Sequence, residues 1–333
     1  MNKKSKFPSE SVRRFLGYVT LALLLIPLFL WAIGAIYFDG PFRAFAWINA
    51  IAVIAAFIWL KPWKKKLIAF ATWFGIVLIC WLLQRPSNEG DWLPDVAQLA
   101  YAEIDGDNIT LHHVRAFEYR SADDFTPQWK TRRVRLSQLT GIDMAVNYWG
   151  SPWMAHPIVS FQFADAPPIC VSIETRKKKG QTYSALGGLY RQFSLVYTVA
   201  EESDVIRLRT SIRKGEDCYL YRLNITADHA RERFLEYVQT INKLHNKPRW
   251  YNAITTNCTT AIRQQRDSSK RLPFDWRMLV NGKGDEMLYE RNFILTGGLP
   301  FADLKRRSLV NEAARQNSDT VNFSTQIRAA LPW

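Results

Sequence analysis

One cysteine carries the clearest chemical signal in this chain. Cys258 lies in the stretch Tyr251–Gln265, YNAITTNCTTAIRQQ, directly behind Thr256 and Asn257 and ahead of a helix-forming run. Thr256 or Asn257 suits an N-cap, because a short side-chain oxygen accepts one of the orphan N–H groups of a first helical turn. Cys258 then falls in that turn, where the macrodipole and unpaired N–H groups favour negative charge and so the thiolate, the form that acts as a nucleophile. An arbitrary cysteine is more often a small buried hydrophobe, but the polar flanks of this one argue for reactivity.

A nucleophilic thiol needs a base, and the base needs an orienting group. His156 stands immediately before the alternating apolar run Ile158–Phe163, and Glu174 sits near the end of Ile169–Thr175, across a turn at Asp165-Ala166-Pro167-Pro168. If the two runs pair antiparallel, His156 and Glu174 lie at the same end, where the carboxylate can hold the imidazole in one tautomer. The plainer alternative is a histidine at a strand end and a solvated edge glutamate. In the catalytic reading His156 takes the proton of Cys258, and N–H groups of the helix start, with Asn257 and Thr259 in support, stabilise an oxyanion. His112 and His113 are neighbours in a strand, where successive side chains point to opposite faces, so they are not expected to share a metal. The chain shows no paired-cysteine metal motif and no glycine-rich phosphate loop. Neither metal nor cofactor is therefore expected.

These residues need a scaffold of strands and helices. Leu99–Ile104 and Asn108–Phe117 flank Asp105-Gly106-Asp107 as a hairpin; Leu139–Tyr148, Ser194–Ala200 and Cys218–Leu223 read as further strands. Ser184–Gln192 reads as a short helix. Thr226–His245 carries Phe234, Val238, Ile241 and Leu244 at helical spacing, an amphipathic helix for a sheet to bury, which Pro248 then stops. Phe274–Leu279, Glu286–Phe293, Phe301–Glu312 and Ser324–Leu331 are short helical stretches. The run Arg176-Lys177-Lys178-Lys179 is read as a solvated face that can also meet lipid headgroups.

Before Gln84 the composition changes. Behind a basic leader (Lys3, Lys4, Lys6, Arg13, Arg14), Phe15–Phe38 is apolar and free of charge, and two more apolar runs follow at 44–60 and 67–83. Three membrane spans are expected. No small-residue cleavage site follows the first run, which argues against a removed signal peptide. Trp31, Trp47, Trp59, Trp63 and Trp81 lie towards the span ends, as an aromatic belt would. The basic residues flank the N-terminus and the Lys61–Lys66 turn, so both are expected in the cytoplasm and everything after Gln84 outside it. Residues 1–84 thus read as a membrane anchor and 85–333 as an outer domain, reached through the polar linker Arg85–Pro94. The formal net charge of +14 over 333 residues is compatible with nucleic acid or an anionic surface. Its distribution around the apolar runs makes the membrane the economical explanation, and no nucleic-acid partner is expected. With Cys80 inside a span, Cys170, Cys218 and Cys258 remain outside. An oxidising compartment permits a Cys170–Cys218 disulfide and leaves Cys258 unpaired, the alternative being three reduced thiols.

Several separate motifs, in order, resemble those of the Lnb N-terminal periplasmic domain family: DWLPDVAQLAYAEIDGDNITLHHVRAFEYRS, NYWGSPWMAHPIVSFQF, SIETRKKKGQTYSA, DVIRLRT, YNAITTNCTTAIR and LPFDWRMLVNG. The resemblance runs from about Asp91 to Pro332. It implies an α+β, papain-like domain of the permuted NlpC type, in which the histidine strand precedes the cysteine helix. Cys258 then matches the family's nucleophile, His156 its base and Glu174 its third position. It further implies a bacterial inner-membrane protein with a periplasmic catalytic domain, moving or hydrolysing acyl chains of membrane lipids through a thioester, with lipoprotein N-termini as acceptors. Two other functions stand beside it: a cell-wall amidase or endopeptidase, and a non-catalytic envelope assembly or binding protein.

Overall fold

The computed structural model describes residues 10–265, 271, 273–279, 281–316 and 322–333. Lys3, Lys4 and Lys6 of the basic leader, and Leu272 and Val280 of the last motif, lie outside the described residues. The chain is a mixed α+β protein with an apolar helical region followed by a sheet domain. It divides into two compact units: residues up to Arg85 together with Leu186–Gln192, and Pro86–Ala185 together with Phe193–Trp333.

In the first unit three apolar helices follow one another: α1 (Glu10–Asp39), α2 (Arg43–Trp59) and α3 (Trp63–Leu83). Among the described residues only α1 and α3 are long and apolar enough to cross a membrane. This corrects the expectation of three spans. With 17 residues α2 is about 26 Å long, short of a hydrocarbon core of about 30 Å. Several polar groups among the helices are paired, while Asp39 Oδ1 has no hydrogen-bond partner among the described residues. Trp73 Nε1 donates to Asn49 Oδ1 at 3.0 Å and Trp81 Nε1 to Asp39 Oδ2 at 2.8 Å. Arg191 stacks over the Trp81 ring and donates to the carbonyls of Trp81 (2.6 Å), Leu82 (3.0 Å) and Gln84 (2.9 Å), satisfying the open end of α3. The helix expected over Ser184–Gln192 is only the single 3₁₀ turn Gly187–Leu189.

The second unit is built on one large sheet. Its strands are β1 (Tyr101–Asp105), β2 (Asn108–Arg115), β5 (Trp129–Arg135), β6 (Leu139–Trp149), β7 (Ala155–Phe163), β8 (Ile169–Arg176), β9 (Ser194–Glu201) and β10 (Glu216–Arg222). A small separate pair, β3 (Glu118–Tyr119) and β4 (Phe125–Thr126), lies apart from it. The order is β1-β2-β9-β8-β7-β6-β10, with β5 also on β2. Neighbours are antiparallel except β2 and β9, which meet in parallel at Arg115 and Ala200. Alternation along β7 divides the core. Val159, Phe161 and Phe163 pack with Phe234, Val238 and Ile241 of α5 (Ala227–Asn246), while Ile158 packs with Val205 and Ile206 of α4 (Glu202–Arg207). Helix α5 has the expected apolar stripe, and Thr226 caps it by accepting from the His229 N–H. Each fully buried large apolar side chain in such a core contributes about 1.5–3 kcal/mol.

Local departures have physical causes. The β1–β2 hairpin turns at Asp105-Gly106-Asp107 as expected, but at His113 the backbone takes φ 57° and the β2–β5 register shifts between Leu111 and Val114. This bulge cancels the strict alternation assumed for the two histidines, and both rings touch Tyr101, at 4.4 Å for His112 and 5.5 Å for His113. Arg176, at the head of the cationic run, is not solvated. It is buried over the Trp92 ring and donates to the carbonyls of Val96, Asn88 and Ala97.

Asp204, in the first turn of α4, accepts from the Arg115 guanidinium, the Phe117 N–H and the Tyr119 hydroxyl, and all three are buried with it. Removing one member of such a pair strands the other charge inside the protein. Asp204→Ala is therefore expected to cost about 3–5 kcal/mol, measured as a fall in the urea midpoint of the sheet domain's tryptophan fluorescence transition.

Candidate active site

Register brings the first two residues together. β7 and β8 pair Ile158 with Ser172 and Phe161 with Ile169, so the same register continued two residues further sets His156 opposite Glu174. His156 shares its side of β7 with Ile158, and Glu174 its side of β8 with Ser172 and Cys170. His156 Nε2 lies 2.7 Å from Ser172 Oγ and 3.1 Å from Glu174 Oε1, and Ser172 Oγ donates to Glu174 Oε1 at 2.7 Å. Ser172 was not singled out in the sequence. Its signal is the two-residue spacing from Glu174 in ICVSIET, which puts both on one strand face.

Cys258 arrives from α6 (Cys258–Gln264). It is buried, with 6% of its surface exposed, and it lies beside His156, whose pKa it helps to raise. With Nε2 engaged by Ser172 and Glu174, Nδ1 is the ring nitrogen left for the thiol. Asn257 caps α6. Its Oδ1 accepts from the N–H groups of Thr259 (3.0 Å) and Thr260 (2.8 Å), and Thr260 Oγ1 in return accepts from the Asn257 N–H at 2.9 Å. This capping box holds the start of the helix. It also revises the role expected of Asn257, whose Nδ2 donates to the Ala253 carbonyl at 3.1 Å and is therefore committed to the turn. Of the first turn, only the Cys258 N–H is left outside the cap.

A second donor comes from a residue not foreseen in the sequence. Asn281 Nδ2 donates to Cys258 Sγ at 3.0 Å, while Asn281 Oδ1 accepts from Thr259 Oγ1 at 2.7 Å. Thr259 thus supports the site by fixing the amide of Asn281 with its NH₂ towards the sulfur. Together with the Cys258 N–H, this amide is positioned to receive negative charge that develops next to Sγ. The only sequence trace of Asn281 is its place in LPFDWRMLVNG, 23 residues after the cysteine.

Electrostatics favour a charged histidine. Burial pulls the His156 pKa down, but the Glu174 charge and the hydrogen bonds to Cys258 and Glu174 outweigh it and lift the value to about 9. Burial pushes Glu174 up, and His156, Arg209 and Ser172 more than reverse this, leaving the carboxylate well below its usual range. Arg209 bridges Glu174 (3.5 Å) and Glu216 (3.2 Å), and its Nε has no partner among the described residues. These groups line a cleft of about 290 Å³ that also takes in Lys177, Arg213, Tyr183 and Tyr251. Among the described residues no cluster of three or more histidine, cysteine or carboxylate side chains could hold a metal ion.

Of the two alternatives for Cys170 and Cys218, the structure has the reduced thiols: both are free and buried. They lie on β8 and β10 with β7 and β6 between, three strand spacings or about 14 Å, and a disulfide needs Cα atoms within about 7 Å.

Two outcomes follow from this geometry. Because the folded His156 value is raised, the pair's stabilisation is complete below about 6.5 and is lost as pH rises through about 9; because that of Glu174 is lowered, it is lost again as pH falls below about 4.5. In Glu174→Gln the alkaline limb of thiol-dependent ester cleavage should move from about 9 towards 6.5, read from the pH profile of kcat/KM. Asn281→Ala should lower kcat by roughly 10²–10³ if its amide meets an oxyanion, while stability to urea changes little.

No curated protein and no solved structure matches the chain. Residues 125–282, which carry His156, Glu174, Cys258 and Asn281 alike, match the family model described as Lnb N-terminal periplasmic domain, so this part of the chain is similar to an envelope-located domain.

Proposed function

We propose that the protein is a membrane-tethered cysteine acyltransferase or lipid acyl hydrolase, and that its sheet domain is a permuted papain-like fold. The observation that carries this reading is the Cys258 sulfur held between the His156–Glu174 pair and the Asn281 amide. The proton given up by the Cys258 thiol is the one that the raised pKa lets His156 hold at rest, and the thiolate attacks an ester carbonyl. The carbonyl oxygen takes the negative charge beside the Cys258 N–H and Asn281 Nδ2. Collapse of this adduct forms a thioester, and the leaving alkoxide takes the proton from His156. An amine or water, deprotonated by His156, then attacks the thioester and returns the thiol.

Covalent attachment to apolar helices supports a lipid donor, since donor and enzyme confined to one surface meet at raised effective concentration. A lipoprotein N-terminal amine is the acceptor this arrangement suits in a bacterial cell. The helices and the periplasmic family description fit a membrane-anchored protein with a periplasmic domain. On this reading the sheet domain lies on the outer face of the inner membrane.

Purified full-length protein with a fluorescent phospholipid should release or transfer the labelled chain, and a thioester-linked acyl group should appear on Cys258 by mass spectrometry. Full activity in Cys258→Ala would refute the mechanism, and release of muropeptides with no action on lipid would replace it with cell-wall cleavage. Alkaline phosphatase fused after Trp333 should be active in the periplasm; an inactive fusion alongside a fluorescent cytoplasmic one would put the sheet domain on the inner side.

A further inference from the structure

Beside the catalytic cleft lies a second cavity of about 180 Å³, whose walls include Met144, Val146, Ile262, Met278, Met287 and Leu288. It adjoins the site at one shared lining residue, Asn281, and Thr259, the neighbour of Cys258, lines the second cavity. Ile262 is one helical turn beyond Cys258 on α6, and residues four apart share a helix face, so the nucleophile and this wall look the same way.

The polar side chains at the edge of the cavity are already engaged. Arg233 pairs with Glu236 and donates to Gln265 Oε1 at 3.2 Å; Asp285 accepts from Lys305 at 2.8 Å and from the Tyr221 hydroxyl at 3.1 Å. A peptide or sugar would leave its polar groups unpaired here, whereas a hydrocarbon gives up nothing on entry. Three of the walls are methionines, which adapt to irregular apolar occupants. An apolar protein cavity of about 150 Å³ accepts benzene, so this one has room for roughly six to eight carbons before a chain must turn out of its open side.

We propose that this cavity holds the hydrocarbon chain of the acyl group carried on Cys258, and that it sets the preferred chain length. The proposal rests on the reading of Cys258 as an acyl nucleophile. Ile262, Met287 and Leu288 are then specificity residues that touch the chain and take no part in bond making.

The test uses the full chain in one fixed detergent with p-nitrophenyl acetate, butyrate, hexanoate and octanoate. The acylation rate constant should rise with each added methylene, approaching fourfold per group at full burial, and level off near six to eight carbons. Ile262→Phe and Met287→Trp should lower the octanoate-to-acetate ratio at least tenfold while keeping the acetate rate within about twofold. Leu288→Phe, a smaller change, supplies the same ratio should either variant also lose acetate turnover. A chain-length series that is flat, or a ratio unmoved by these variants with acetate turnover intact, overturns the cavity assignment alone. Failure of every ester to acylate Cys258 overturns the underlying reading and the cavity assignment with it. As a readout without turnover, N-hexyl iodoacetamide should alkylate Cys258 faster than iodoacetamide in the native protein, and Met287→Trp should abolish the difference; equal rates in the native protein count against the proposal.

Discussion

His156 and Glu174 are ionisable groups set near strand ends that the sheet otherwise buries, and each lowers the cost of the other's charge there. Their meeting depends on the register of β7 and β8. Side chains alternate along a strand, so a slip of one residue would turn His156 into the apolar layer beneath α5 and replace it with Pro157. The long β6–β7 and β8–β9 ladders on either side exclude such a slip, since every apolar residue on both faces would be misplaced with it. The core and the ion pair therefore enforce the same register. Ser172 adds a local lock, because it accepts from one partner and donates to the other.

The cysteine helix solves a different problem. An N-cap asparagine gives up its oxygen to the first turn, and here its amide nitrogen is committed as well, so one side chain cannot both cap α6 and stabilise an oxyanion. The two tasks are divided. Asn257 shapes the turn, and Asn281, brought in from a later loop and aligned by Thr259, faces the sulfur. The helix that presents Cys258 thereby also orients the donor that lies beside it.

What was legible in the sequence followed short-range rules. Cys258 at a helix start, His156 and Glu174 at one end of a hairpin, and the apolar stripe of α5 all rest on periodicity and capping, which act over a few residues. What escaped depends on distant contacts. Asn281 sits in a polar loop with no periodicity of its own, and Arg209 follows α4 in a π-helical turn, Leu208–Ile212, that no pattern announces. Strand alternation misplaced His112 and His113 because a single left-handed residue resets it. The disulfide was inferred from compartment and count, neither of which carries the strand order. The spans were judged by composition, while α2 departs from them in length.

The separation of Cys170 from Cys218 bears on how this domain survives oxidation. Each of these thiols is sealed in the apolar layer beneath α4, with its pKa pushed up by burial and so little thiolate to react. Cys258 packs with the other core cluster. Of the three thiols in this domain, Cys258 is the one that borders the cleft, and Cys170 and Cys218 lie too far apart to be joined to each other. A dissolved oxidant therefore meets the cleft thiol before the two sealed beneath α4.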